Sequence, residues 1–144
     1  MQKNLIATAE ITVNATAGKV WKALTDPAMI KQYMFGTTVT SEWKQGSKIT
    51  WSGEWKGKQY EDKGVILKII PAQQLQYTHF SPLSGVADEP ENYHTVTIEL
   101  SPENNQTKII LSQDKNATEE ERDHSKQNWE MMLGAIKNLV EEGD

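Results

Sequence analysis

Apolar positions change their period twice along this chain, and the changes divide it into a strand, a helical corner, a long run of strands and a closing helix. From Leu5 to Val13 the pattern alternates, with Ala7, Ala9, Ile11 and Val13 on one face and Thr8, Glu10 and Thr12 on the other. The inward residues are small, which leaves room beneath the strand. Thr16 is placed to cap a helix whose buried stripe is Val20, Leu24 and Trp21, and Asp26 then caps a second helix that has Pro27 at its first position and ends near Gly36. From Thr37 the period becomes two: Thr37–Trp43, Lys48–Trp55, Tyr60–Ile70, Leu75–Phe80, Tyr93–Ser101 and Gln106–Gln113 predict six strands. Short connections at Gly46, Gly57, Pro71 and Pro102-Glu103-Asn104-Asn105 make neighbouring strands antiparallel. Ser81–Asn92 breaks that rhythm with Pro82, Gly85 and Pro90, a length at which loops tend to be functional, and is a candidate flap.

Thr118-Glu119-Glu120-Glu121 has the form of a capping box with acidic residues at the positive end of the helix dipole. The helix it opens runs to about Glu142. Trp129, Met132, Leu133, Ile136, Leu139 and Val140 recur at spacings of three and four and form a stripe that can lie on a sheet, whereas Glu119–Asn128 has none and would either overhang the cavity mouth or fray. The resulting β-α-α-β6-α order is an α+β arrangement in which an antiparallel sheet covers one long C-terminal helix.

Composition narrows the function. The 144 residues fit one domain spanning 1–144, and a net charge of −5 opposes binding to nucleic acid or to anionic membranes. With no cysteine there is no disulfide framework, thiol nucleophile or thiolate metal site. Lys3 and Glu10 interrupt any N-terminal apolar run, and no stretch approaches the roughly 18 apolar residues of a membrane span, so a cytoplasmic protein without membrane insertion is expected. Asn14-Ala15-Thr16, Asn105-Gln106-Thr107 and Asn116-Ala117-Thr118 read as turns or caps. Ser52-Gly53 and Ser84-Gly85 lack the surroundings of a nucleophile elbow, and Gly53, Gly57 and Gly64 do not open a helix as a phosphate loop would. Glu54, Glu61 and Asp62 do not make a metal site, so neither a metal nor any other cofactor is expected.

The segment Val20-Trp21-Lys22-Ala23-Leu24-Thr25-Asp26-Pro27, within this element order, resembles the START-related helix-grip (SRPBCC, Bet v 1-like) superfamily. Within it the chain is most similar to the branch called activator of Hsp90 ATPase homologue 1-like. Trp43-Lys44-Gln45-Gly46-Ser47, Gly64 to Pro71, Gln74 to Thr78 and Asn128-Trp129-Glu130-Met131-Met132-Leu133 carry the likeness over essentially the whole chain. Asn128 departs from it, since the branch has glycine before the helix tryptophan, which implies a less closely packed backbone there. The resemblance implies a helix-grip fold, a curved sheet wrapped around the C-terminal helix, with a pocket between them.

Alternation points Ile49, Trp51 and Trp55 inward, then Val65, Leu67 and Ile69, then Leu75, Tyr77 and His79. His94, Val96, Ile98 and Leu100 follow, with Ile109, Leu111 and Gln113 on the last strand, while a bulge at Gly53 or Gly64 would flip half a strand. Trp51, Trp55 and Trp129 offer broad apolar walls to a ligand, or else fill the core; Trp21 and Trp43 read as structural. The expected ligand-binding set is Trp51, Trp55, Val65, Leu67, Tyr77, His79, His94, Val96, Ile98, Gln113, Trp129, Met132, Leu133 and Ile136, with methionines 29, 34, 131 and 132 as deformable lining. His79 and His94 with Gln113, Tyr60 or Tyr77 would form a hydrogen-bonding cluster suited to proton transfer; the alternative is two partly solvated histidines near the flap.

Three functions fit: binding of a hydrophobic or amphipathic small molecule, cyclase- or hydrolase-like catalysis on such a molecule, or cochaperone-like regulation of an Hsp90-type chaperone. Ligand binding leads, because the polar groups form no sharp catalytic constellation and no catalytic residue can be named.

Overall fold

The chain starts with β1 (Leu5–Val13), turns a corner through α1 (Ala17–Thr25) and α2 (Pro27–Tyr33), and enters six further strands. These are β2 (Thr38–Ser41), β3 (Lys48–Trp55), β4 (Lys58–Ile70), β5 (Gln74–His79), β6 (His94–Glu103) and β7 (Gln106–Asn116), and α3 (Glu119–Glu142) follows them. The structure is a computed structural model and describes residues 5–34, 36–82, 85, 87–116 and 118–142, without the side chain of Trp55.

All pairings are antiparallel, in the order β1-β7-β6-β5-β4-β3-β2, so the first strand lies beside the last. The curved seven-stranded sheet and the long C-terminal helix are those of the helix-grip fold. The corner forms as its caps dictate. Thr16 accepts the Lys19 N–H, and Asp26 accepts the Ala28 N–H at 2.9 Å with Pro27 opening α2. At α3, Thr118 Oγ1 accepts the Glu121 N–H at 3.1 Å.

The core lies between the sheet and the helices. Ala7, Ala9 and Val13 of β1 face it, as alternation requires, beside Ile109 and Leu111 of β7 and Leu133, Ile136 and Val140 of α3. Two buried polar groups secure this side. Thr107 donates to the Ala15 carbonyl at 2.8 Å, and Asn116 donates to the Leu5 carbonyl at 2.9 Å while accepting from Ser125 of α3 at 3.0 Å. Asn128 is exposed on α3 and does not enter the core.

One facing assignment is overturned. Val65 and Leu67, expected inward, are 40% and 41% exposed, and Ile66 between them is fully buried. Pairing slips on β4: Ile66 faces Tyr77 and Lys68 faces Gln76, so two steps along β4 answer one along β5. Counting back from the inward Ile69 therefore carries the wrong parity across the bulge. The flip sits just beyond Gly64, where the strands approach closely. A Cβ on Gly64 would lie 1.7 Å from the Thr78 carbonyl oxygen. Gly64→Ala is accordingly expected to lower unfolding free energy by about 3 kcal/mol, the upper part of the overpacking range. Urea denaturation reads this, and an unchanged midpoint would mean that β4 and β5 separate freely at that point.

Candidate functional site

Between the helical corner, β2, β3, β5, β6 and α3 the core leaves a cavity of about 30 Å³. That volume admits a water molecule or two and is roughly a tenth of the smallest usual ligand pocket, about 300 Å³. Its walls are Tyr33, Met34, Trp43, Trp51, Tyr77 and Met132, with Leu24, Ile30, Val39, Ile49, Leu75 and Ile98 completing them. Tyr33 donates its hydroxyl to the Ala23 carbonyl at 2.9 Å, which satisfies the buried polar end of that side chain. Burial holds the Tyr77 phenol far above its usual range, so it stays neutral at any physiological pH.

The expected site residues separate into groups. Trp51, Tyr77, Ile98 and Met132 line the cavity. Val96, Leu133 and Ile136 are buried core residues beyond it. Val65 and Leu67 lie on the opposite face, while the Trp55 side chain lies outside the described residues. Trp129 and Gln113 meet directly, the indole N–H donating to Gln113 Oε1 at 2.5 Å.

His79 and His94 are direct cross-strand partners, a proximity that the sequence left open. They do not form a cluster with the groups proposed for them. His79 Nε2 sits 2.9 Å from Asp62 Oδ2, and His94 Nδ1 sits 2.9 Å from the Asp114 carbonyl oxygen. Tyr60 pairs instead with Thr37 at 2.6 Å. The His79 ring meets the Trp51 indole edge-on at 5.0 Å, and Tyr77 packs on the same indole at 5.2 Å. Trp51 thus links the apolar cavity to the His79–Asp62 pair.

Asp62 is the residue that sequence reasoning missed in this role. Its Oδ2 meets His79, whereas its Oδ1 is buried without a hydrogen-bond partner among the described residues. The clue lay in parity: Tyr60, Asp62, Gly64 and Ile66 share a register upstream of the bulge, and Asp62 pairs with Trp51 across β3. Of the cavity residues from the corner, Leu24 was legible as part of a buried stripe and Met34 as deformable lining, whereas Ile30 and Tyr33 were not singled out, because their approach to β3 and β5 is a tertiary fact.

With this geometry in place, comparison identifies the fold's relatives. The family described as activator of Hsp90 ATPase homolog 1-like protein matches residues 14–141. The chain belongs to that family. No curated protein sequence matches it. Among solved structures, ChR145 from Cytophaga hutchinsonii is 53% identical, with 99% of this chain and 97% of that one covered and a TM-score of 0.87. The Aha1 dimer from Colwellia psychrerythraea is 19% identical, with 97% and 98% covered and a TM-score of 0.74. Ara h 8.0201 is 16% identical, with 98% and 100% covered and a TM-score of 0.77. The last two show a shared fold. No helix among the described residues is long and apolar enough to cross a membrane.

Of the candidate flap, residues 83, 84 and 86 lie outside the described residues, and Asp88 anchors part of the remainder. Lys63 pairs with Asp88, Tyr93 donates its hydroxyl to Asp88 Oδ1 at 2.5 Å, and the Tyr93 ring stacks on Phe80 at 5.0 Å. The Lys63 ammonium, then the Tyr93 hydroxyl, hold the Asp88 carboxyl below its ordinary value. A depressed folded pKa places this anchor's contribution above the ordinary carboxylate range and removes it as pH falls through the lowered midpoint. Carbon-13 NMR of the side-chain carboxyl should show that low midpoint, and Lys63→Gln should move it up. An unmoved midpoint in the variant would separate Asp88 from Lys63.

Proposed function

We propose that the domain binds a small hydrophobic or amphipathic molecule in the space between the sheet and α3. The supporting observation is the cavity itself, which lies at that place and is walled by two methionines and four aromatic side chains. At about 30 Å³ it must expand to take a ligand, and the unbranched, polarizable side chains of Met34 and Met132 can yield without breaking a hydrogen-bonded network. Trp51 would offer an indole face, and the His79–Asp62 pair beyond it would meet the polar end of an amphipathic ligand.

Fatty acids, sterols, flavonoids and aromatic polyketides titrated into labelled protein should shift the Trp51 indole N–H and the Met132 methyl saturably for at least one class. Ile98→Ala should cost about 2–4 kcal/mol, as a large-to-small change in a packed core does, and a small apolar probe such as benzene should restore part of the lost stability. Silence at Trp51 and Met132 for every compound, together with no rescue of the variant, would defeat the proposal.

A second reading is regulation of an Hsp90-type ATPase through the surface. It is favoured by a core that is nearly full and by Val65 and Leu67 standing exposed on the outer sheet face. In that case the protein stimulates such an ATPase, and Val65→Ser with Leu67→Ser reduces the stimulation several-fold; an ATPase rate unaffected by the wild-type protein removes this reading.

A further inference from the structure

A second and wider concavity lies away from the space between sheet and helix. It is an open groove of about 540 Å³ at the opposite end of β4 from the Ser81–Asn92 loop, where α1, the β2–β3 connection and the β4–β5 turn meet. Trp21 and Trp43 form its apolar flanks with Ile69 and Pro71, and Lys44 and Gln45 stand exposed at its border. This volume falls within the usual range for small-molecule sites, about 300–1,000 Å³.

The connection is held in a defined shape. Trp43 has left-handed backbone, φ 55°, which a bulky residue adopts only when its surroundings enforce it. Here Ser41 Oγ accepts the Trp43 N–H at 3.0 Å, Ser47 Oγ accepts the Lys44 N–H at 3.1 Å and donates to the Lys44 carbonyl at 2.6 Å. Gly46 and Ser47 are bonded in turn to Ile66 of β4, through Gly46 N–H to the Ile66 carbonyl at 2.7 Å and Ile66 N–H to the Ser47 carbonyl at 2.9 Å. The indole is therefore presented by a stiff turn, so a ligand meets a surface that needs little ordering.

Charge selects the ligand. Two indole faces would welcome an organic cation as well as a neutral ring. Yet in a protein of net charge −5 the one charged residue lining this groove is Lys44, whose ammonium has no ion-pair partner among the described residues. A cation would be repelled, and an anion with a flat apolar body would be matched at both ends. We infer that the Trp21–Trp43 groove is a second binding site, for a small planar aromatic carboxylate whose ring lies on the indoles and whose carboxylate meets Lys44.

Trp43 also lines the interior cavity, so one indole is the partition between the groove and the core. The inference does not require that cavity to open. Its test distinguishes the two sites by which indole responds. Nitrogen-15-labelled protein is titrated with 2-naphthoate and, separately, with neutral 2-naphthylmethanol. The expected result is saturable movement of the Trp21 and Trp43 indole N–H signals with Trp51 unmoved. Lys44→Gln, an exposed substitution that leaves the fold alone, should weaken 2-naphthoate about fivefold, the scale of one exposed ion pair, and 2-naphthylmethanol should bind the wild type about as weakly. Trp21→Ala should abolish saturation. No movement at Trp21 and Trp43 overturns the site. Movement at Trp51 alone assigns binding to the interior and likewise overturns it, and equal affinity for both compounds, unaffected by Lys44→Gln, overturns the carboxylate.

Discussion

The burial of one stripe of α3 against β1 and β7 is the interaction on which the rest of this structure depends. Leu133, Ile136 and Val140 are all but removed from water, and each such side chain stabilises by about 1.5–3 kcal/mol. Their sum rivals the whole net stability of an ordinary domain, about 5–15 kcal/mol. Remove the helix and the inward faces of the first and last strands become a wet apolar surface. Asn116 adds direction to this adhesive contact, because it touches β1 and α3 at once and so specifies where the helix begins its crossing.

Strand existence was legible because the period of two persists through most of the sheet, and the caps at Thr16, Asp26 and Thr118 marked helix starts through chemistry that is local. What failed was not local. The bulge between Ile66 and Lys68 has no distinctive residue of its own, and it lies just beyond the close approach of Gly64 to Thr78. A single extra residue there exchanged the faces of Val65 and Leu67 with that of Ile66. The same slip concealed Asp62 as a partner of His79, since its inward direction becomes evident only with the upstream parity. The histidines' adjacency rests on the β5–β6 register, which the sequence left open, and the atoms each one bonds depend on the Asp62 carboxylate and the Asp114 carbonyl.

Fullness is the other consequence of this packing. The resemblance implied a pocket between sheet and helix, but the corner helices, β2 and Met132 enter the space that the sheet encloses and leave room for little more than water. Proteins with a shared fold can fill or hollow this region by exchanging side chains while the backbone frame stays put, so function must be argued from the lining of each chain. In this chain aromatic surface has been divided between an interior face at Trp51 and an exterior one at Trp21, with Trp43 touching both spaces.

The pairing of the first strand with the last has a consequence in time. Asn14 N–H reaches Glu141 across 127 positions of sequence, and Asn116 reaches the Leu5 carbonyl across 111. A chain growing from its N-terminus carries β1 until β7 and α3 have been made, without the strand that flanks it or the helix that covers it. Closing such long loops before any contact rewards them slows folding. With Ile6, Thr8, Ile11, Thr12 and Val13 among its nine residues, no proline or glycine and a single charge at Glu10, β1 has the composition of a self-associating segment, so the late arrival of β7 and α3 also withdraws it from pairing with other chains.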